Sequence, residues 1–138
     1  MNRAHDLVRW CAALLWTALV CALMLLPGRG TVVEDTSRAA GGTDLTDAIG
    51  HVILFGILAG LWWGALAPRR GWSAALRIAL GVALVLGLIT EISQILVPDR
   101  GVSLLDLLAN ESGAVVAAGC VIYGRARETG APGARWRK

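Results

Sequence analysis

Charged residues are scarce in this chain: Asp, Glu, Lys and Arg together make up 17% of its 138 residues. An average soluble domain carries about 25%, and apolar residues here reach 56%. The net charge is only +3, and no basic soluble face is present, so nucleic acid is not an expected partner. The composition instead indicates a membrane protein, and the length leaves room for one domain.

Cysteine is too sparse for most metal or redox sites. The three cysteines lie inside apolar stretches, without a C-x-x-C pair or a Cys/His ligand spacing: Cys11, Cys21 and Cys120. Small buried side chains are the simpler interpretation. No Ser or Cys stands out as a nucleophile, and the sequence predicts no cofactor and no zinc or redox centre.

Four long apolar runs predict the fold. A bilayer core about 30 Å thick needs about 20 residues of helix to cross it. The runs cover residues 8–26, 47–67, 74–97 and 104–124, and no alternating strand pattern is present. We therefore expect an all-α bundle of four transmembrane helices in one domain, residues 1–124. A cleaved signal peptide is the alternative for the first run, but the run is long for a signal and no A-x-A site follows it.

The distribution of Lys and Arg predicts the orientation. Ten of these 13 residues lie beside the chain termini or between the second and third runs, and three lie on the opposite side: Arg29, Arg38 and Arg100. Positive charge favours the cytoplasmic side, so both termini should be cytoplasmic. Residues 125–138 should form a basic, disordered cytoplasmic tail attracted to anionic membrane lipids. The Gly-rich connection 27–46 is expected to be a flexible linker, with a mobile flap as the alternative.

Small residues at four-residue spacing predict close helix packing. Gly56, Gly60 and Gly64 share one face of the second run, where another backbone can approach. Residues 109, 113 and 117 do the same in the fourth run. Packing within the chain is the favoured interpretation. Homodimerisation through the three glycines is possible but not favoured.

Polar side chains interrupt three of the four runs near one end. The members of each pair are three or four residues apart and so share a helical face. The pairs are Asp47 and His51, Glu91 and Gln94, and Asp106 and Asn110, with Arg100 in the turn between the last two runs. At about 1.5 Å per residue, His51 lies ~6 Å beyond Asp47, while Glu91 and Asn110 each lie ~10 Å from their turn. Antiparallel helices would bring these groups to one level in the outer leaflet, which favours a common site.

Several of these residues also have a purely structural interpretation. Asp47 fits an acid in a first helical turn, where the helix dipole favours negative charge. Asp106 fits the reaching position of a capping box that begins at Ser103. Arg100 fits the solvated tip of a tight turn. Capping and turn formation therefore stay open as alternatives to function.

The more deeply placed groups are harder to explain in this way. His51 could be neutral and bonded to a neighbour. Glu91 needs Arg100, His51 or water beside it, or a proton, because isolated charge is costly in a membrane. Glu111 has no evident partner in the sequence. A metal site formed by Asp47, His51 and Glu91 is a less favoured alternative.

The motifs around these residues resemble the VanZ-like membrane protein family. The pattern is D-x-x-x-H at 47–51, E-x-x-Q at 91–94, then Arg100, and D-x-x-x-N-x-x-G at 106–113. The chain departs from the family at Ala48, where many members have Lys, and at Glu111 and residues 115–116, where small residues are usual. The resemblance implies a multi-pass protein of the bacterial plasma membrane. The family's namesake is associated with low-level resistance to the glycopeptide teicoplanin.

Three functions compete at this stage. The first is an enzyme acting on a lipid-linked or other envelope substrate, with Glu91 and His51 exchanging protons and Arg100 holding an anionic group. In that scheme Asp106 orients His51 or Arg100, and two amides, those of Gln94 and Asn110, supply neutral hydrogen bonds. The second is a non-catalytic protein that recognises an envelope or glycopeptide-related ligand. The third is a structural network that only holds the helices together.

Overall fold

The protein is an all-α bundle of four long helices. A computed structural model describes residues 3–27, 39, 41, 44–98 and 100–130. The helices are α1 (Arg3–Leu25), α2 (Asp44–Arg70), α3 (Trp72–Ser93) and α4 (Leu104–Gly130), and one 3₁₀ turn, Gln94–Leu96, follows α3. Each helix is long and apolar enough to cross a membrane, so the four predicted spans are confirmed. The predicted linker 27–46 lies mostly outside the described residues.

The boundary between α2 and α3 differs from the prediction. The second helix does not end before Pro68 but continues to Arg70, because proline keeps a helical φ and removes only one hydrogen-bond donor. The Gly71 amide donates to the Ala67 carbonyl at 3.1 Å. Gly71 itself has φ 77°, a left-handed conformation that favours glycine, and α3 begins at the next residue. A single residue therefore reverses the chain.

The last helix is also longer than predicted. It continues to Gly130, so residues 125–130 are helical rather than part of a disordered tail. The guanidinium of Arg127 lies 4.7 Å from the Tyr123 ring centre, and Arg125 pairs with Glu128 at 3.8 Å. Contacts at three- and four-residue spacing support a helix beyond the apolar run. The rest of the predicted tail, 131–138, lies outside the described residues.

Helix α2 is central and packs against the other three helices, most extensively against α4. The buried core is formed by Val20, Met24, Phe55, Leu58, Ala59, Ala83 and Ala114. Large apolar side chains such as Leu15 and Val85 are more than half exposed, as expected where lipid is the solvent. Polar contacts also tie α1 to α2: the Trp16 indole donates to the Leu54 carbonyl at 3.0 Å, and the Trp62 indole donates to the Thr17 hydroxyl at 3.0 Å.

One predicted glycine of α2 makes a backbone contact with α4. A Cβ built on Gly56 would lie 3.2 Å from the Gly113 carbonyl oxygen, and one built on Gly113 would lie 2.2 Å from the Val52 carbonyl oxygen. Nothing lies within 4 Å of the corresponding positions at Gly60 and Gly64. The expectation of close backbone packing within the chain is therefore met at one of the three glycines, Gly56.

The two ends of the bundle differ in chemistry. We call the end where α1 and α3 finish and α2 and α4 begin the polar end, and the opposite end the terminal end. At the terminal end, the rings of Trp10 and Trp62 meet edge to face at 5.7 Å. Arg69 pairs there with Asp6 at 3.4 Å and lies 5.9 Å from the Trp10 ring centre. The polar end contains the predicted polar pairs.

Candidate functional site

A buried hydrogen bond joins α2 to α4 below the polar end. The Nδ1 atom of His51 lies 2.8 Å from Oδ1 of Asn110. The histidine is 5% exposed and the asparagine is fully buried. The close approach of Gly113 to α2, one turn further along α4, makes this bond possible because it brings the two helix backbones together. The predicted convergence of these two residues is therefore observed.

The other side of Asn110 faces α3 at Gly87. A Cβ built on Gly87 would lie 3.4 Å from Asn110 Nδ2 and 3.3 Å from Glu111 Oε1. Both atoms are buried and have no hydrogen-bond partner among the described residues. The missing side chain of Gly87 thus leaves room for a donor and an acceptor between α3 and α4. Glu111, which the sequence left without a role, lies beside the polar pairs.

Glu91 bonds to the first residue before α4. Glu91 is buried, with an exposed fraction of 2%. Its Oε1 accepts a hydrogen bond from the backbone N–H of Ser103. The predicted partners Arg100 and His51 are not bonded to it. The second oxygen, Oε2, is buried without a partner in the described part of the chain. An unsatisfied buried polar atom costs about 1–3 kcal/mol.

The start of α4 is capped by the residue that precedes it and by a side chain of α3. The Ser103 hydroxyl accepts from the Asp106 N–H at 3.1 Å, which is half of the predicted capping box. In a local capping box the residue at the Asp106 position would reach back to the Ser103 N–H. Here Glu91 takes that place from α3. The Asp106 carboxylate bonds to neither His51 nor Arg100 among the described residues, contrary to the orienting role considered for it.

Gln94 and Arg100 donate hydrogen bonds to backbone carbonyls at the end of α1. The Gln94 amide is 1% exposed and donates to the Met24 carbonyl at 3.1 Å. The Nε–H of Arg100 donates to the Leu26 carbonyl at 3.3 Å. These carbonyls belong to the last turn of a helix or follow it, where backbone acceptors lack partners and positive charge is favourable. Arg100 forms no ion pair within the described segments.

The matched family is consistent with this fold. Residues 10–125 match the family model described as VanZ/LLP1. The chain belongs to the VanZ/LLP1 family. The match covers the polar pairs, Arg100 and Gly113. No curated protein and no solved structure matches the chain. With four helices able to span a membrane, this VanZ/LLP1 protein is a multi-pass membrane protein.

One predicted site residue of the VanZ/LLP1 protein lies apart from the others. Asp47 is exposed and makes no hydrogen bond or ion pair with any described residue. It shares a helical face with His51 in sequence, but only the histidine points into the bundle contact. No group of three or more His, Cys, Asp or Glu side chains within the described ranges could hold a metal ion.

Sequence reasoning missed the backbone partners of the VanZ/LLP1 site. These are the Ser103 amide and the carbonyls of Met24 and Leu26. It also missed Gly87, which makes room for Glu111 and Asn110. Of these, only Gly87 is recognisable in the sequence, as a glycine inside an apolar run one turn before Glu91. The backbone partners have none, because every residue carries the same amide.

Proposed function

We propose that this VanZ/LLP1 protein is a plasma-membrane protein of bacteria that recognises a cell-envelope component at its polar end. Both termini are then cytoplasmic, and the polar end faces outward. The ligand is lipid-linked or related to a glycopeptide, and the biological role is low-level protection against teicoplanin. The family resemblance supports the role, and the charge distribution supports the orientation.

The open Oε2 of Glu91 is the observation that carries the proposal. It is buried in a membrane-spanning protein without a partner in the described chain, and Asn110 Nδ2 and Glu111 Oε1 are in the same state. Unsatisfied groups of this kind are expensive and rare in structures. A ligand or water from outside the chain would satisfy them. Polar groups in membrane helices most often mark a functional site.

The orientation is tested by labelling introduced cysteines in intact cells. For this test the three natural cysteines are replaced by serine or alanine, and one cysteine is introduced at Val102 in the polar-end loop or at Gly130 near the C-terminus. A membrane-impermeant maleimide should label the first variant in intact cells and the second only after lysis. The reverse pattern would show that the polar end is cytoplasmic and would remove the envelope role.

The ligand-binding role is tested by teicoplanin susceptibility. Glu91→Gln keeps an oxygen to accept from Ser103 but changes the open atom or its charge, so we expect normal membrane abundance and protection below the wild-type level. Asp47→Asn changes an exposed acid with no partner in the described part of the chain, so it is the matched control and should protect like the wild type. Immunoblots of membranes measure the abundance of each variant.

Two comparisons between variants distinguish an enzyme from a protein that only binds its ligand. If the protein is an enzyme that needs the Glu91 proton, Glu91→Gln should lose protection as fully as Glu91→Ala. If it only binds a ligand, Glu91→Gln should be tolerated better than Arg100→Gln. Full protection by alanine variants of Glu91, His51 and Asn110, at wild-type abundance, would contradict any role for the site.

A structural role is the second candidate. The contacts of Gln94 and Arg100 with the end of α1, and of Glu91 with the start of α4, favour it because they cap helix ends across the bundle. In that case each single substitution should lower membrane abundance, and protection should fall only in proportion to abundance. A variant with normal abundance and no protection would reject the purely structural role.

A further inference from the structure

Asn110 has a defined orientation in its contact with His51. An asparagine amide presents oxygen on one side and nitrogen on the other. The side facing Gly87 shares that gap with the unpartnered Oε1 of Glu111, since the two atoms lie 3.4 and 3.3 Å from the position of a Cβ built on Gly87. An acceptor there favours the amide nitrogen on that side. The oxygen of Asn110 therefore faces His51.

An oxygen at 2.8 Å determines which ring nitrogen of a neutral His51 carries the hydrogen. Since Oδ1 can only accept, Nδ1 must donate, and the hydrogen is on Nδ1. The other ring nitrogen, Nε2, then has a free lone pair. No hydrogen bond to it is seen among the described residues, and it is not one of the fully buried atoms that lack a partner. It therefore lies at the small exposed part of His51, a residue that is 5% exposed.

We propose that Asn110 is a positioning residue that holds His51 in the Nδ1–H tautomer, so that Nε2 accepts a hydrogen bond from a hydroxyl group of the ligand. The ligand part of this statement rests on the proposed function, whereas the tautomer does not. Most of the unpartnered polar atoms on the predicted polar residues and Glu111 are also oxygens that can accept a hydrogen bond. When the two carboxyl groups are ionised, Glu91 Oε2 and Glu111 Oε1 accept and Asn110 Nδ2 donates, so a ligand rich in hydroxyl donors then fits best.

The tautomer can be read by ¹⁵N NMR of histidine-labelled protein in detergent or nanodiscs. The chain has only two histidines, and His5→Gln assigns the signals of His51. At about pH 8, where an ordinary histidine is neutral, we expect the hydrogen on Nδ1 and an Nε2 resonance far downfield, as for a nitrogen with a free lone pair. A hydrogen on Nε2 in the wild type would overturn the proposal.

Two substitutions at position 110 test the cause. Asn110→Leu removes the acceptor, so His51 should shift to the Nε2–H tautomer that free histidine favours. Asn110→Asp keeps an oxygen beside Nδ1 and should keep the hydrogen there. Asp47→Asn, one turn before His51 on the same helix, should change nothing. An unchanged spectrum in Asn110→Leu would show that another group sets the tautomer; if that variant does not fold, the wild-type and Asn110→Asp spectra still decide.

A pair of substitutions at His51 tests the acceptor. His51→Asn can keep a donor near the Nδ1 position for Asn110 but has no atom at the Nε2 position. We expect it to be abundant and to lose teicoplanin protection. His51→Gln places an amide oxygen near the Nε2 position and should retain part of the protection. Full protection by an abundant His51→Asn would exclude Nε2 as the ligand acceptor, even with the expected tautomer. Loss in Glu91→Gln would still support the site.

Discussion

Gly113→Ala should strongly reduce the amount of folded protein. The added Cβ would lie 2.2 Å from the Val52 carbonyl oxygen and 2.9 Å from the Gly56 amide nitrogen. Both are backbone atoms, so α2 and α4 must separate, and the bond between His51 and Asn110 one turn away would lengthen. Overpacking costs about 1–3 kcal/mol and sometimes more. Unfolding of the purified protein in SDS should have a clearly lower midpoint.

Three other glycines provide graded controls for this effect. Gly56→Ala should cost less, because its Cβ would lie 3.2 Å from the Gly113 oxygen. Gly60→Ala and Gly119→Ala meet nothing within 4 Å. They should be neutral or slightly stabilising, since alanine is a better helix former by up to about 1 kcal/mol. Equal midpoints for all four variants would mean that α2 and α4 do not approach as closely as the structure has them.

Glu91→Ala should destabilise the protein much more than Glu91→Gln. Alanine leaves the Ser103 N–H without its acceptor and opens a space at a residue that is 2% exposed. The expected loss is about 1–3 kcal/mol for the unsatisfied amide alone. Glutamine keeps an oxygen that can accept from the Ser103 N–H, so the expected loss is smaller, roughly 1 kcal/mol. SDS unfolding midpoints measure both.

Hydrogen exchange locates the same effect. In Glu91→Ala the amides of Ser103 and the first turn of α4 should exchange faster, while those in the middle of α2 should not. Asp47→Ala is the control at the same end of the bundle, since its side chain is exposed and has no partner in the described chain. If Glu91→Ala were as stable as Asp47→Ala, the carboxyl group would not cap α4.

The sequence was sufficient for the number and approximate position of the spans. Apolar runs of about 20 residues are a local property, so the four helices could be predicted without knowing how they pack. The prediction was wrong at the C-terminal ends of α2 and α4. Pro68 lies within the last turn of α2, and α4 passes Gly124 and reaches Gly130. Side-chain contacts such as that between Arg127 and Tyr123 extend a helix beyond its apolar part, and hydropathy does not report them.

The candidate site was predictable in composition but not in its bonds. Depth along each helix correctly brought His51 and Asn110 together. The sequence did not separate them from Asp47, which shares a helical face with His51 but is exposed. Position along the axis decides this, because residues that share a face cannot be separated by rotating the helix. Asp47 lies one turn nearer the helix end than His51, further from the contact of Gly113 with Val52 and Gly56.

The sequence by itself determined an all-α membrane protein of four spans, its family, and the polar residues near one end. It could do so because hydropathy and motif spacing depend only on which side chain occurs at which position. Only the tertiary structure decided that Glu91 caps α4, that Gln94 and Arg100 donate hydrogen bonds to the end of α1, and that Asn110 lies between His51 and Gly87. Those partners are mostly backbone amides and carbonyls. Every residue has them, so only the packing of the helices selects which ones meet.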